Sequence, residues 1–285
     1  MAEGQSIPSV SELLKAGGHD EEGKANGPET KEEKHDERAV LPFRGGETAA
    51  LTRLNEYFWK QDRLRTYLDT RNGLLGADYS TKFSPWLSTG CLSPRTIYQE
   101  VKAYEEQRIA NKSTYWVLFE LLWRDFFKFA ALKWGNRWVL DSKRVYSGRT
   151  WEVNPEKFKA WSSGTTGYPF VDANMRELAA SGFMSNRGRQ NVASFFVHDL
   201  GMDWRMGAEW FESMLLDHDP CSNYGNWTYV AGVGADPRQD RYFLMPKQSK
   251  QYDKEGEYMR HWLPELNGVV ASRLHDPKQM SAEER

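Results

Sequence analysis

Apolar positions along this chain fall into blocks with a helical period of three to four residues, and no convincing run of strand-type alternation interrupts them. Thr48 is placed to cap a helix running to about Thr70, with Leu51, Leu54, Phe58 and Leu68 among its apolar positions. Ser93-Pro94 starts a second helix, serine as cap and proline at the first helical position, with RTIYQEVKAYEEQR as its body. Residues 114–134, TYWVLFELLWRDFFKFAALKW, are apolar on nearly every face and predict a helix buried at the centre. Glu120, Arg124 and Asp125 are anomalous in it, because a buried charge needs a partner. Asn154-Pro155 opens a short helix. Tyr168-Pro169 opens another, which stops at Gly182. Arg187 to Leu200 and Met206 to Asp217 read as two more. The pattern predicts an all-α fold, an irregular multi-helix cluster without internal repeat.

The blocks do not begin at the first residue. Residues 15–38 are charged and glycine-rich with almost no apolar side chain, too little to order themselves by burial. Residues 1–40 are therefore expected to be a largely disordered linker or tail, with IPSVSELL as a strip able to dock. The folded domain is expected over 41–267, and 268–285 as a C-terminal tail.

Composition narrows the chemistry. Two cysteines, Cys91 and Cys221, in 285 residues supply neither a disulfide framework nor a four-thiolate zinc site. No apolar run reaches the length of a membrane span, and MAEGQSIPSV is neither a signal nor an arginine-rich transit peptide, so a soluble chain without a targeting segment is expected. Residues 1–40 carry ten acidic and five basic side chains, a net of −5, which leaves +3 for the rest of a chain at −2. That permits nucleic-acid binding without demanding it. Aromatics are 14% of the chain, enough to build a core and also to stack on flat rings.

The familiar nucleotide signatures are missing. There is no G-x-G-x-x-G, no G-K-[ST] loop, no H-E-x-x-H and no C-x-x-C, and no metal set is expected. Ser80, Thr81, Lys82, Phe83 and Ser84 offer hydroxyls, N–H groups and an ammonium in a row, an inventory that suits a diphosphate but also a polar turn. Asn186-Arg187-Gly188-Arg189 sits at a helix start; Arg189 and Asp199, ten residues apart, are not helical neighbours. Asp217-His218-Asp219-Pro220 and Asn223-Tyr224-Gly225-Asn226-Trp227 read as a loop whose carboxylates suit acid/base work, a metal, or a ring N–H and a ribose hydroxyl.

The order of these segments carries more than any one of them. YSTKFSPWLSTGCLSPR, FELLWRDFF, TGYPFVDANMRELAASGFMSNRGRQNVASFF, DW, DHDPCSNYGNW and KQYDKEGEYMRHWLPEL, in that order, resemble the flavin domain of the cryptochrome/photolyase family from about residue 41 to 267. YSTKFSPW, ELLWRDFF and SNRGRQN look most like its DASH branch. The resemblance implies FAD as cofactor, with Tyr67 and residues 80–84 at the diphosphate. It implies that Glu120, Trp123 and Arg124 line the active cavity, Glu120 meeting adenine or substrate and Trp123 stacking on a flipped pyrimidine pair. Asn186 and Arg189 would lie beside the isoalloxazine, Arg189 paired to Asp199. Asp217 and Asp219 would meet ribose and flavin ring groups, and Asn223 would stand opposite flavin N5. Trp227, Trp204 and Trp151 match, in that order, a chain that passes electrons from the surface to photoexcited flavin.

Departures matter as well. Phe170 replaces an aliphatic residue. Gln190 and Tyr229 stand where duplex-acting photolyases place Met and Trp. The α/β antenna domain that normally precedes this domain is expected to be absent, and an antenna folate with it. The resemblance thus implies light-driven repair of cyclobutane pyrimidine dimers in single-stranded DNA, by electron transfer from reduced FAD in a monomer. Rival readings are a light-sensing or nucleic-acid-binding flavoprotein without turnover, and a shortened form with an incomplete pocket. The family suggests chloroplast, mitochondrion or nucleus.

Overall fold

The computed structural model describes residues 35–135, 150–234 and 242–279. Most of residues 1–40, IPSVSELL included, lie outside the described residues, and Asp36–Arg285 forms one compact unit. Among the described residues regular structure is helical, apart from a lone parallel bridge between Glu152 and Met202.

The first predicted helix is several pieces. Helix α1 spans Glu47–Asn55 and runs into a π-helical turn, Glu56–Lys60. The chain then breaks at Asp62, which sits in the left-handed region at φ 58°. Asp62 is held there by the Tyr104 hydroxyl and the Arg108 and Arg65 guanidiniums, which all donate to its carboxylate. A 3-10 turn, Arg63–Thr66, leads into α2, Tyr67–Thr70. Periodicity cannot reveal such a break, because Asp62's partners lie more than forty residues away in Tyr104 and Arg108.

Helix α3, Ser84–Ser88, and α4, Pro94–Gln107, follow; Ser93 caps α4 by accepting from Arg95 N. Helix α5 runs Lys112–Trp134 behind a capping box in which Asn111 accepts from Ser113 N and Thr114 N, and the Thr114 hydroxyl meets Asn111 N. It is not buried on every face. Tyr115, Leu122, Phe126, Phe129 and Leu132 are exposed, Leu132 at 80%. Among the described residues one side is covered, by α2, α4 and the helix of residues 220–230, and twenty-three residues make a rod of about 35 Å that outreaches them.

Helix α6, Pro155–Ser163, is capped by Asn154 and closed by Gly164. Helix α7, Pro169–Ser181, ends at Gly182 with φ 66°, where a Cβ would also strike Leu216. Helix α8, Asn186–Ser194, continues through a π-helical turn, Phe195–Asp199. Helix α9 is Trp204–Met214, capped by Asp203. The DHDPCSNYGNW segment is only half a loop: Asp219 accepts from Ser222 N, Pro220 takes the first helical position, and α10 runs Pro220–Val230. Helices α11, Met245–Tyr252, and α12, Glu257–Trp262, complete the expected span. Order extends past residue 267, since α13, Ala271–His275, buries Leu274 and His275.

Three apolar clusters organise the unit. One, around Phe58, Leu54, Ile97 and Tyr104, joins α1 to α4 and part of α5. The second, around Trp161, Phe196, Phe211 and Trp227, joins α6 to α10. The third, around Tyr258, Trp262 and Leu274, backs α7. The functional cleft lies between the first two.

Candidate functional site

A cleft of about 330 Å³ is walled on one side by the 80–84 segment, α2 and α5, and on the other by α8, the 215–219 loop and α10. That volume falls within the range of ligand pockets, roughly 300–1,000 Å³. It brings together Tyr67, Ser80, Thr81, Lys82, Phe83, Ser84, Glu120, Arg124, Asn186, Arg189, Gln190, Asp217, Asp219, Asn223, Trp227 and Tyr229, drawn from 163 residues of sequence. The anomalous charges of α5 are thereby explained for Glu120 and Arg124, which face the cleft. Glu120 meets the Arg71 guanidinium at 2.5 Å; burial pushes its carboxyl up, and Arg71 and Trp116 pull it back.

Three expected residues are not cleft walls. Trp123 is 39% exposed and packs edge-on against Phe119 and Phe126. Trp204 is buried at the start of α9, against Tyr224 at 6.5 Å. Trp151 is half-buried against the Trp161 cluster. Trp227 shares the Trp161 cluster with Trp204. It lines the cleft, packs on Phe211 at 5.2 Å, and lies so close to Gly207 that a Cβ there would come within 2.2 Å of its Cη2.

The Arg189–Asp199 pair does not form. Ten helical residues set them about 15 Å apart along one axis, and Asp199 instead accepts from the Tyr242 hydroxyl at 2.7 Å. Arg189 pairs with Asp217, Nη2 to Oδ2 at 2.8 Å, and its Nε donates to the Met184 carbonyl. The Asp217 side chain is 2% exposed, and its other oxygen, Oδ1, is buried without a hydrogen-bond partner among the described residues. A buried carboxylate oxygen left open on a cleft wall is an acceptor awaiting a donor. Asn223 is fixed alongside by donating from Nδ2 to the Ala208 carbonyl at 2.9 Å.

Across the cleft, Lys82 occupies left-handed backbone, φ 60°, next to right-handed Phe83. Its side chain is not a solvated lysine. The residue is 2% exposed, Nζ donates to Ser80 Oγ at 3.0 Å and lies over the Tyr79 ring at 2.8 Å from the centroid. Burial draws its ammonium well below the usual lysine range. Glu177, fully buried on α7, is its largest compensating charge; burial pushes that carboxyl up to about 7, against the Tyr258 hydroxyl bond and the Lys82 and Arg189 charges.

The FAD binding domain of DNA photolyase matches residues 116–285. The chain belongs to the cryptochrome/photolyase family. It is 60% identical over 250 residues to cryptochrome DASH of Synechocystis sp., covering 88% of this chain and 51% of that one. It is 60% identical over 240 residues to the chloroplastic/mitochondrial cryptochrome DASH of Solanum lycopersicum, covering 84% and 42%. The chain thus spans about half the length of the curated relatives it matches. Among solved structures, the Synechocystis cryptochrome superposes with a TM-score of 0.86 at 58% identity, over 92% of this chain and 54% of that one. A class III photolyase of Agrobacterium tumefaciens superposes at 0.78 and 33% identity, over 85% and 50%. The helical fold is the family's flavin-domain fold. The DASH likeness read from YSTKFSPW and SNRGRQN is the likeness these relatives carry.

Sequence reasoning missed Arg71, Arg53 and Glu177. Arg71 follows Tyr67 by one helical turn, a spacing that flags a shared face. Arg53 and Glu177 carried no local signal, since each is a charged residue in an ordinary amphipathic helix. No helix among the described residues is long and apolar enough to cross a membrane.

Proposed function

We propose that the cleft binds FAD and that this domain performs light-driven repair of cyclobutane pyrimidine dimers in single-stranded DNA. The observation that carries the cofactor assignment is the open Asp217 Oδ1, buried and aligned by Arg189, in a cleft that Ser80, Thr81 and Ser84 also line. One wall suits a ring N–H donor and the other a diphosphate. Tyr67 and residues 80–84 would hold the diphosphate, Asp217 and Asp219 the flavin ring and ribose, and Asn186, Arg189 and Asn223 the ring's flank. FAD, when bound, supplies the light-driven electron for dimer cleavage.

The protein's own groups do the rest. Glu120, held by Arg71 and with its carboxyl pushed up by burial, presents a hydrogen-bonding edge to adenine or to a flipped base. Gln190 and Tyr229 form cleft walls that replace the Met and Trp of duplex-acting relatives. Extruding a dimer from a duplex costs a few kcal/mol, most of which a single strand has already lost, so weaker walls favour the single strand. Trp227, Trp204 and Trp151 would carry electrons from the surface inward. Purified protein should keep a visible flavin band through gel filtration. With reduced flavin and light, it should repair dimers in a single-stranded oligonucleotide and leave the annealed one largely unrepaired. Equal repair of both sinks the strand preference.

Trp123, part-exposed and absent from the cleft lining, favours a second reading, a light-responsive flavoprotein that binds nucleic acid without turnover. Retained, photoreducible flavin with no repair of either oligonucleotide selects it.

A further inference from the structure

Arg53 lies on α1, 5% exposed, and is not among the residues that line the cleft. Its guanidinium is spent on one object, the strand of backbone that runs into the 80–84 segment. Nε donates to the Thr81 carbonyl at 3.1 Å, and Nη2 to the Ala77 carbonyl at 2.9 Å and the Ser80 carbonyl at 3.1 Å. Nη1 meets the Asp78 carboxylate at 2.9 Å. Three consecutive-region carbonyls and one carboxylate thus converge on a single buried cation.

Peptide geometry converts that convergence into a statement about the opposite face. In a trans peptide the C=O of one residue and the N–H of the next point in opposite directions. With the Ser80 and Thr81 carbonyls drawn back onto Arg53, the Thr81 and Lys82 N–H groups must point away from it, on the side where residues 80–84 wall the cleft. Neither N–H donates to an acceptor in the described backbone hydrogen bonds outside the helices. The left-handed Lys82 followed by right-handed Phe83 curls the successive N–H groups from Lys82 onward into a concavity of the kind that cradles anions. Lys82 meanwhile has its ammonium engaged by Ser80 Oγ and the Tyr79 ring.

We propose that Arg53 is a positioning residue for the FAD diphosphate: by holding the Ala77, Ser80 and Thr81 carbonyls behind the loop, it turns the Thr81 and Lys82 N–H groups into the cleft. The proposal rests on the reading of this cleft as the FAD site and adds the device that shapes its phosphate wall. Arginine is required because only a planar fork presents several donors to several acceptors at once; lysine keeps the charge and loses the fork. The diphosphate is then met chiefly by backbone, with Arg53 acting through that backbone and never touching it.

The test is Arg53→Lys in the full chain, with FAD titrated into flavin-free protein and the bound cofactor observed by phosphorus NMR and visible absorption. The expected result is an FAD Kd raised roughly tenfold and displaced diphosphate resonances, with the absorption envelope of the isoalloxazine unchanged. A lowered melting temperature of the flavin-free protein with Kd and phosphorus resonances unmoved assigns Arg53 a purely structural role and overturns the proposal. Should Arg53→Lys fail to fold, Asp78→Ala removes only the outer, 30% exposed carboxylate of the clamp. It should displace the same resonances and weaken FAD about threefold, and unmoved resonances again overturn the proposal. If wild-type protein binds FAD with no response of its diphosphate resonances, or binds no FAD at all, the reading of the cleft falls and the clamp falls with it. A wild-type response that both variants retain removes the clamp alone.

Discussion

The Asp217 carboxylate is almost fully enclosed and satisfied on one oxygen only, by Arg189. Removing the arginine strands that charge. Arg189→Met should destabilise the protein by about 3 kcal/mol, the lower end for breaking a buried pair, because Arg189 itself keeps some solvent. Chemical denaturation read by tryptophan fluorescence measures it; an unmoved midpoint would mean the pair is solvated. Trp227 makes a second residue-scale case. Its ring occupies the space that the missing side chain of Gly207 leaves open. Gly207→Ala should cost about 1–3 kcal/mol through overpacking, despite alanine's better helix propensity. Trp227→Phe should preserve fold and flavin content but abolish blue-light reduction of bound oxidised flavin. Reduction at the wild-type rate would leave Trp227 a packing residue.

At the scale of elements, boundaries follow caps that sequence displays, while breaks follow contacts that it does not. Ser93-Pro94, Asn154-Pro155 and Gly182 were readable because a cap acts within its own turn. The Asp62 break was not, since its anchors Tyr104 and Arg108 arrive from α4 and the residue just after it. Helix α5 shows both sides. Its two-residue extension to Lys112 comes from the Asn111 capping box, and Asn111 also donates to the Arg65 carbonyl. Asn111→Ala should therefore cost about 1 kcal/mol or somewhat more. Thermal melting checks it, and Asn111→Asp, which keeps the acceptor, should recover most of the loss.

Across the whole molecule, burial sets the charge state of the centre. Glu177 faces Lys82, Tyr79, Tyr258 and Arg189 with no solvent. Its folded pKa of about 7 lies above the ordinary glutamate value of 4.5, so the folded state holds the proton more tightly. The stabilisation is complete below pH 4.5 and is lost as pH rises through about 7. At about 1.4 kcal/mol per pKa unit, the loss is on the order of 3 kcal/mol. Unfolding of wild type and Glu177→Gln, compared from pH 5 to 8, should show the wild type losing ground by that order. Parallel curves would mean that Lys82 holds Glu177 ionised throughout.

What the sequence determined by itself was what local rules govern: helical period, caps, the all-α class, and six segments in an order specific enough to name the family. It also supplied the inventory of the site, because hydroxyls at 80–84 and carboxylates at 217 and 219 are visible wherever they end up. The tertiary structure decided the pairing. Arg189 belongs to Asp217 because a helix separates it from Asp199 by a fixed rise, whereas the 215–219 loop returns to its side. It decided which face of α5 is covered, since an all-round apolar helix states no preference. And it decided that Lys82 is buried and that Arg53 serves the loop, because a charged side chain declares its partner only when distant backbone is folded against it.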